Sequence, residues 1–170
     1  MKKLLFGFLV ILTACSHKSN EQKQANQENN LDKYIGTYEC LAPDTPDETN
    51  YIVISKTDNK LSGIYYATSD EFDENREGYA PGFFVTNMNN LEISGDSIKF
   101  SINVEPTEIL SKPVNLKIKS TSEALKSGYK VWINTGIPTS PKEYVGVFQN
   151  PTTIFFKGSQ KIFDKTFIKK

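Results

Sequence analysis

The chain has 170 residues, with 20 Lys plus Arg set against 20 Asp plus Glu, 38% hydrophobic residues, two cysteines and one histidine. That length fits one domain, and the neutral balance with no basic stripe argues against a nucleic-acid binder. The single imidazole, His17, falls in a polar stretch near the N-terminus, which leaves the remaining sequence without a Ser-His-Asp or Cys-His nucleophile system or a histidine-bearing zinc site.

Residues 1–15 read as two lysines, an apolar run from Leu4 to Leu12, then small residues ending at Cys15. A charged start followed by a short apolar core is the pattern of a secretory signal. The run is too short to cross a hydrocarbon layer of roughly 30 Å as a helix, which takes about 20 residues. Leu12-Thr13-Ala14-Cys15 resembles the bacterial lipobox. The resemblance implies cleavage after Ala14, acylation of Cys15 and a protein held at a membrane by its lipid. Several acyl chains, at about 0.8 kcal/mol per buried methylene, hold far better than one. Ser16 after the cysteine resembles the sorting signal for an outer-membrane lipoprotein, so the cell envelope is the expected address. The mildly acidic remainder adds no attraction to anionic lipid.

Residues 16–31 are almost all Ser, Asn, Gln, Glu, Lys and His. Such a segment cannot bury enough apolar surface to offset its ordering entropy, and it reads as a flexible tether reaching about 20–25 Å. The expected organisation is therefore a signal over 1–14, a lipidated cysteine and tether over 15–32, and a folded domain over 33–170. In that domain Cys40 is the only thiol, so no internal disulfide can form, and its place in an apolar alternation makes it a small core residue.

The dominant period of the domain is two. From Ile98 to Val104 every even position is apolar and every odd neighbour polar, the mark of a strand with one buried face. The same pattern predicts strands at 34–40, 51–56, 61–68, 83–86, 114–118, 129–133, 144–148, 153–157 and 162–168. Asp58-Asn59, Ser94-Gly95-Asp96, Asn150-Pro151 and Gly158-Ser159 supply turns between them. One helix is predicted over Ser120–Lys126, capped by Ser120 or Ser122 and stopped at Gly128. Short gaps make the neighbours antiparallel. The expected fold is all-β, an antiparallel meander forming a small barrel or a strongly curved sandwich with one short helix. Gly36-Thr37-Tyr38, behind the short turn from Leu31 to Tyr34, resembles the Gly-x-Trp opening of lipocalins, with tyrosine in the place of tryptophan. The resemblance implies a lipocalin-like barrel; the family's Thr-Asp-Tyr turn and its late arginine have no counterpart here.

Residues 65–84 hold six aromatics, a run of acids and two glycines in one long connection between strands. Connections of that length are commonly functional. Arg76, the only arginine of the chain, offers a planar fork for Asp70 or Asp73, or for a ligand's carboxylate or phosphate. The acids around Asp73 lack the glycine and terminal glutamate of an EF-hand loop, so a solvated acidic loop is the reading preferred to a metal site. Tyr65 and Tyr66, and likewise Phe83 and Phe84, point to opposite faces, one of each pair into the core and the other exposed or facing a cavity. Tyr79 lies in the turn leading back to the strand, and Trp132 falls opposite Val131 and Ile133, where it would cover the barrel mouth or mark a contact surface.

Without histidine, and with carboxylate pairs supported only by local crowding, an enzyme is not expected, and neither a phosphate loop nor a dinucleotide fingerprint is present. No cofactor is expected. Two readings account for the residues. One is a monomeric, membrane-tethered module that binds a small apolar or amphiphilic ligand, with Tyr65, Tyr66, Phe83 and Phe84 near its mouth. The other is a protein–protein module, an inhibitor or envelope-complex subunit, that uses the 69–84 loop and Trp132.

Overall fold

Alternation along the chain becomes strand pairing, and the strands close on one another. The computed structural model describes residues 31–40, 50–69, 72–73, 78–79, 82–132, 141–159 and 164–170. Its strands are β1 (Gly36–Cys40), β2 (Tyr51–Thr57), β3 (Lys60–Ser69), β4 (Phe72–Asp73), β5 (Gly78–Tyr79), β6 (Gly82–Asn87), β7 (Asn89–Ser94), β8 (Ser97–Ile102), β9 (Lys142–Asn150), β10 (Thr153–Phe156) and β11 (Lys165–Lys169). Nine of them form one antiparallel sheet in the order β6-β3-β2-β1-β11-β10-β9-β8-β7, while β4 and β5 pair as a separate ribbon. The first and last strands lie side by side, with Tyr38 opposite Lys169.

The two edge strands β6 and β7 are consecutive in sequence, joined through Met88, so the sheet curls into a nearly closed barrel with a single seam. At the seam the Met88 amide donates to the Gly63 carbonyl at 2.8 Å. Gly63 is what permits this approach. A Cβ there would collide with the Met88 thioether sulfur and lie 3.0 Å from Leu91 Cδ2. Closure leaves few sheet edges for another chain to pair with.

The inward faces fill one core that includes Tyr34, Tyr38, Ile52, Tyr65, Phe84, Phe100, Phe148, Phe156 and Phe167. One end of the barrel is sealed. The Tyr34 ring stacks on Phe148 with centroids 3.9 Å apart, and its hydroxyl donates to Asp96 Oδ1 at 3.1 Å. The Tyr38 hydroxyl donates to the carbonyls of Tyr34 at 2.8 Å and Pro151 at 3.1 Å. Burial pushes its pKa up to about 12, with the neighbouring Tyr34 adding to the shift. The Gly36-Thr37-Tyr38 motif thus opens β1 at the sealed end, and Tyr38 plugs it. Cys40 is buried, as its place in the alternation implies.

Between β8 and β9 the chain leaves the barrel and covers its outer wall. Within this segment are a 3-10 turn over Pro106–Glu108 and the short α-helix α1 (Thr121–Lys126). The Ser120 side chain accepts from the Glu123 amide at 3.2 Å, while Glu123 Oε2 accepts from the Lys119 amide at 2.7 Å, a reciprocal arrangement that fixes the helix start. Leu110, Ile118 and Ala124 form a second, smaller core, and single bridges join Phe83 to Leu110 and Leu110 to Val131. Among the described residues no helix is long and apolar enough to cross a membrane.

Two predicted strands are not strands. Residues 114–118 form a turn, and the 129–133 stretch contributes only the bridge at Val131; Ile133 lies outside the described residues. Their alternating apolar residues reflect an irregular cover packed on one side, with Ile118 buried and Val114 half-buried. Conversely, β7 is a strand that the alternation did not predict. Asn90 takes a positive φ of 53° within a register shift that the strand absorbs as a bulge.

Candidate functional site

The barrel end opposite Tyr34 is where β8 and β10 finish and where β9 and β11 begin. Inward-facing residues at these four places are large and aromatic: Phe100, Phe156, Tyr144 and Phe167. Together with Tyr65 from β3 they wall a cavity of about 200 Å³. The rings are set at fixed angles. Phe100 and Tyr144 stack with centroids 5.0 Å apart and planes 8° from parallel. Phe156 stands edge-on to Phe100, Tyr144 and Phe167, at 5.9, 6.1 and 5.7 Å. Pairs of this geometry are worth about 0.5–1.5 kcal/mol each beyond their buried area, so the walls are preorganised.

Two features make room for these rings. Gly146 sits on β9 where a side chain would point inward, opposite Phe156, and the Phe156 ring lies over it. Tyr65 packs 5.5 Å from Tyr144 and hydrogen-bonds with it. Burial pushes the Tyr144 phenol up from its ordinary pKa, and the hydrogen bond with Tyr65 pulls the other way. The cavity therefore combines aromatic walls with a substantial polar lining.

The rim is charged. Exposed Glu143 and Lys157 and half-buried Lys165 border the opening. Glu143 meets Lys99 at 4.0 Å, and the Gly158 amide donates to Asp164 Oδ1 at 2.8 Å, fixing the turn after β10. A second concavity, bounded by Tyr51, Pro113, Val114, Leu116 and Tyr129, is a shallow groove of about 490 Å³ between the outer cover and β2. Its openness to solvent gives it much less contact area per ligand atom than the cavity between the strands.

The predicted site residues are distributed unevenly. Tyr65 lines the cavity. Phe84 is inside the barrel, 6.0 Å from the Tyr65 ring, in the core and not among the cavity-lining residues. Tyr66 and Phe83 do face the opposite side from Tyr65 and Phe84, but that side is not free. The cover buries both, and the Tyr66 hydroxyl donates to the carbonyls of Ile118 at 2.7 Å and Leu116 at 3.2 Å. Tyr65 and Tyr66 thus divide between cavity and core, whereas Phe83 and Phe84 are both buried and neither lines the cavity, so of the four residues expected near the mouth Tyr65 is the one that borders it.

Trp132 is half-buried against the barrel core, and its amide donates to the Ile109 carbonyl at 2.7 Å. Asp73 and Tyr79 belong to the β4–β5 ribbon, paired through Asp73 with Gly78 and Phe72 with Tyr79. Asp70, Arg76 and Cys15 lie outside the described residues. Among the described residues, no group of three His, Cys, Asp or Glu side chains could hold a metal ion.

Sequence reasoning missed Phe100, Tyr144, Phe156, Phe167, Lys157 and Lys165. A signal for the aromatics existed: each occupies an inward position near the same end of a strand in the meander. It could be read only after the strands were placed in order.

Comparison with protein-family models, with curated proteins and with solved structures found no match. The functional reading accordingly rests on the geometry of this site.

Proposed function

We propose that the protein is a lipid-anchored binding module of the bacterial cell envelope, at the outer membrane, and that the barrel takes a small amphiphilic ligand in the aromatic cavity. The observation that carries the reading is the cavity of about 200 Å³ between β8, β9, β10 and β11, with aromatic walls and a charged rim. Drug-sized ligands occupy roughly 300–1,000 Å³, whereas an apolar cavity of about 150 Å³ is known to accept benzene. The volume of this cavity suits one ring or a short branched chain.

The entry of the chain into β1 is consistent with the same reading. Residues leading to β1 run past Tyr34 at the sealed end, so a protein held through Cys15 presents its cavity at the far end from the attachment of the tether. Native mass spectrometry of the purified protein tests the ligand: a co-purified small molecule displaced by Tyr144→Trp supports it. Failure of any single-ring compound to bind at millimolar concentration contradicts it. Cys15→Ser tests the anchor, with loss of labelled-palmitate incorporation and a move from the membrane to the soluble fraction as the expected outcome.

A second reading, a protein–protein module, draws on outward-facing Val145 and Val147 of β9, 59% and 49% exposed, with Ile168 of β11 nearby at 39%. Cross-linking in cells that is lost on Val145→Lys would favour it over ligand binding.

A further inference from the structure

We infer that the cavity recognises a compact aromatic carboxylate, its ring held among Phe100, Tyr144, Phe156 and Phe167 and its carboxylate at the rim by Lys165 and Lys157. This rests on the reading of the cavity as a ligand site and specifies the chemistry of what enters it.

The ring follows from the walls. Phe100 and Tyr144 lie nearly parallel at 8°, while Phe156 stands at 83° and 89° to them. A planar guest can stack on one wall and present its edge to another, the two arrangements that aromatic quadrupoles favour. The volume of about 200 Å³ admits one ring and a small substituent.

The sign of the charge follows from the rim. Its lining residues carry two ammonium groups, Lys157 and Lys165, and one carboxylate, Glu143. That carboxylate is met by Lys99 from the neighbouring strand. The nearby Asp164 accepts from the Gly158 amide and is not among the lining residues. Among the described residues neither Lys157 nor Lys165 forms an ion pair, so the described lining residues carry an excess of positive charge beside the aromatic cavity. Such an arrangement attracts an anion and repels an aromatic amine of the same size. Half-buried Lys165, at the start of β11, is the better placed of the two to stay engaged, since a partly desolvated charge is screened less than an exposed one.

The test uses three probes of one shape and three charges: benzoate, benzyl alcohol and benzylamine. Each is titrated into the purified protein at neutral pH and low salt, following amide shifts of Tyr144 and Phe156 by NMR. Benzoate is expected to bind about five-fold tighter than benzyl alcohol, and benzylamine more weakly than either. Lys165→Gln is expected to cut the benzoate preference to within about two-fold without changing benzyl alcohol binding, and Lys165→Arg to keep the preference. Equal affinities for benzoate and benzyl alcohol overturn the carboxylate inference and leave the cavity as a ligand site. Preference for benzylamine overturns it as well. Binding of none of the three overturns this inference together with the reading beneath it.

Discussion

Gly146→Ala should destabilise the barrel and narrow the cavity, and the structure fixes how much. A Cβ built on Gly146 would lie 2.6 and 2.7 Å from Cε1 and Cδ1 of Phe156, and 3.0 Å from the Phe155 carbonyl oxygen. Carbon–carbon contact is most favourable at about 3.5–4.0 Å, so the overlap with the ring is about 1 Å. The ring can retreat only toward the cavity it lines, because Phe100, Tyr144 and Phe167 hold it in edge-on contacts on its other sides. Overpacking of this kind costs about 1–3 kcal/mol. Replacing a glycine stiffens the unfolded chain and recovers about 0.4–1 kcal/mol. The net expectation is a loss of about 1–2 kcal/mol, read as a lower urea midpoint with an unchanged slope. Benzyl alcohol should bind more weakly, because the displaced ring moves toward the cavity. Phe156→Leu removes the atoms in conflict, so the double variant should be more stable than the sum of the single effects by about 1 kcal/mol or more. A Gly146→Ala protein as stable as the original, or strict additivity in the double variant, would refute the placement of Phe156 over β9.

The outer cover is held by Tyr66, and Tyr66→Phe should cost about 1–2 kcal/mol by leaving the buried Ile118 and Leu116 carbonyls without their donor. Amide exchange of Ile118 and Ala124 should quicken more than that of β8, and equal quickening would argue against a local fastening. In alkali the buried phenols set the limit. Tyr38 and Tyr66 have pKa values raised from 10.0 to about 12, chiefly by burial. A raised pKa means the folded protein keeps protons that the unfolded chain has begun to release. Stability is thus whole below about pH 10 and falls as pH climbs toward 12, by up to about 1.4 kcal/mol per unit for each group. Urea midpoints across that range, with absorbance at 295 nm reporting ionised tyrosine, check this; a flat midpoint up to pH 12 would contradict it. At the seam, Gly63→Val should destabilise more than Gly146→Ala, since it sets a branched side chain against Met88 and Leu91 where the sheet edges approach, and a neutral result in thermal unfolding would count against the closure.

Much of the fold was legible in the sequence because a strand with one buried face imposes period two on its own residues, as β8 does. The hairpin at Asp58-Asn59 was equally legible, since both residues adopt positive φ, at 50° and 61°, in a two-residue turn. The cover was not. Val114, Leu116 and Ile118 alternate as strand residues do, yet their apolar side chains answer to the outer wall of β3 and β6, a surface that exists only after the sheet has formed. The site was half legible for the same reason. Tyr65 stood out among neighbouring aromatics, whereas Tyr144 sits between Glu143 and the exposed Val145, so its strand lacks a clean alternation. The four other cavity aromatics come from four different strands, β8 to β11, and meet only through the order of the sheet.

The pairing of β1 with β11 has a kinetic side. A strand whose neighbour is the last in the described chain has to wait, during synthesis or refolding, until that neighbour exists. The hairpins β2–β3, β7–β8 and β9–β10 are local and can form early, but loop-closure entropy opposes the β1–β11 contact until the intervening meander is in place. Folding should therefore be slow, with the β1–β11 junction registering last. Disrupting β11 would leave β1 and β10 as open edges and expose both sides of the gap to pairing with another chain. The same adjacency places Lys169 beside Lys33, its ammonium donating to the Lys33 carbonyl at 3.0 Å, so a short peptide joining those ends, with new ends opened at the Asp58-Asn59 turn, should yield a permuted barrel of the same shape.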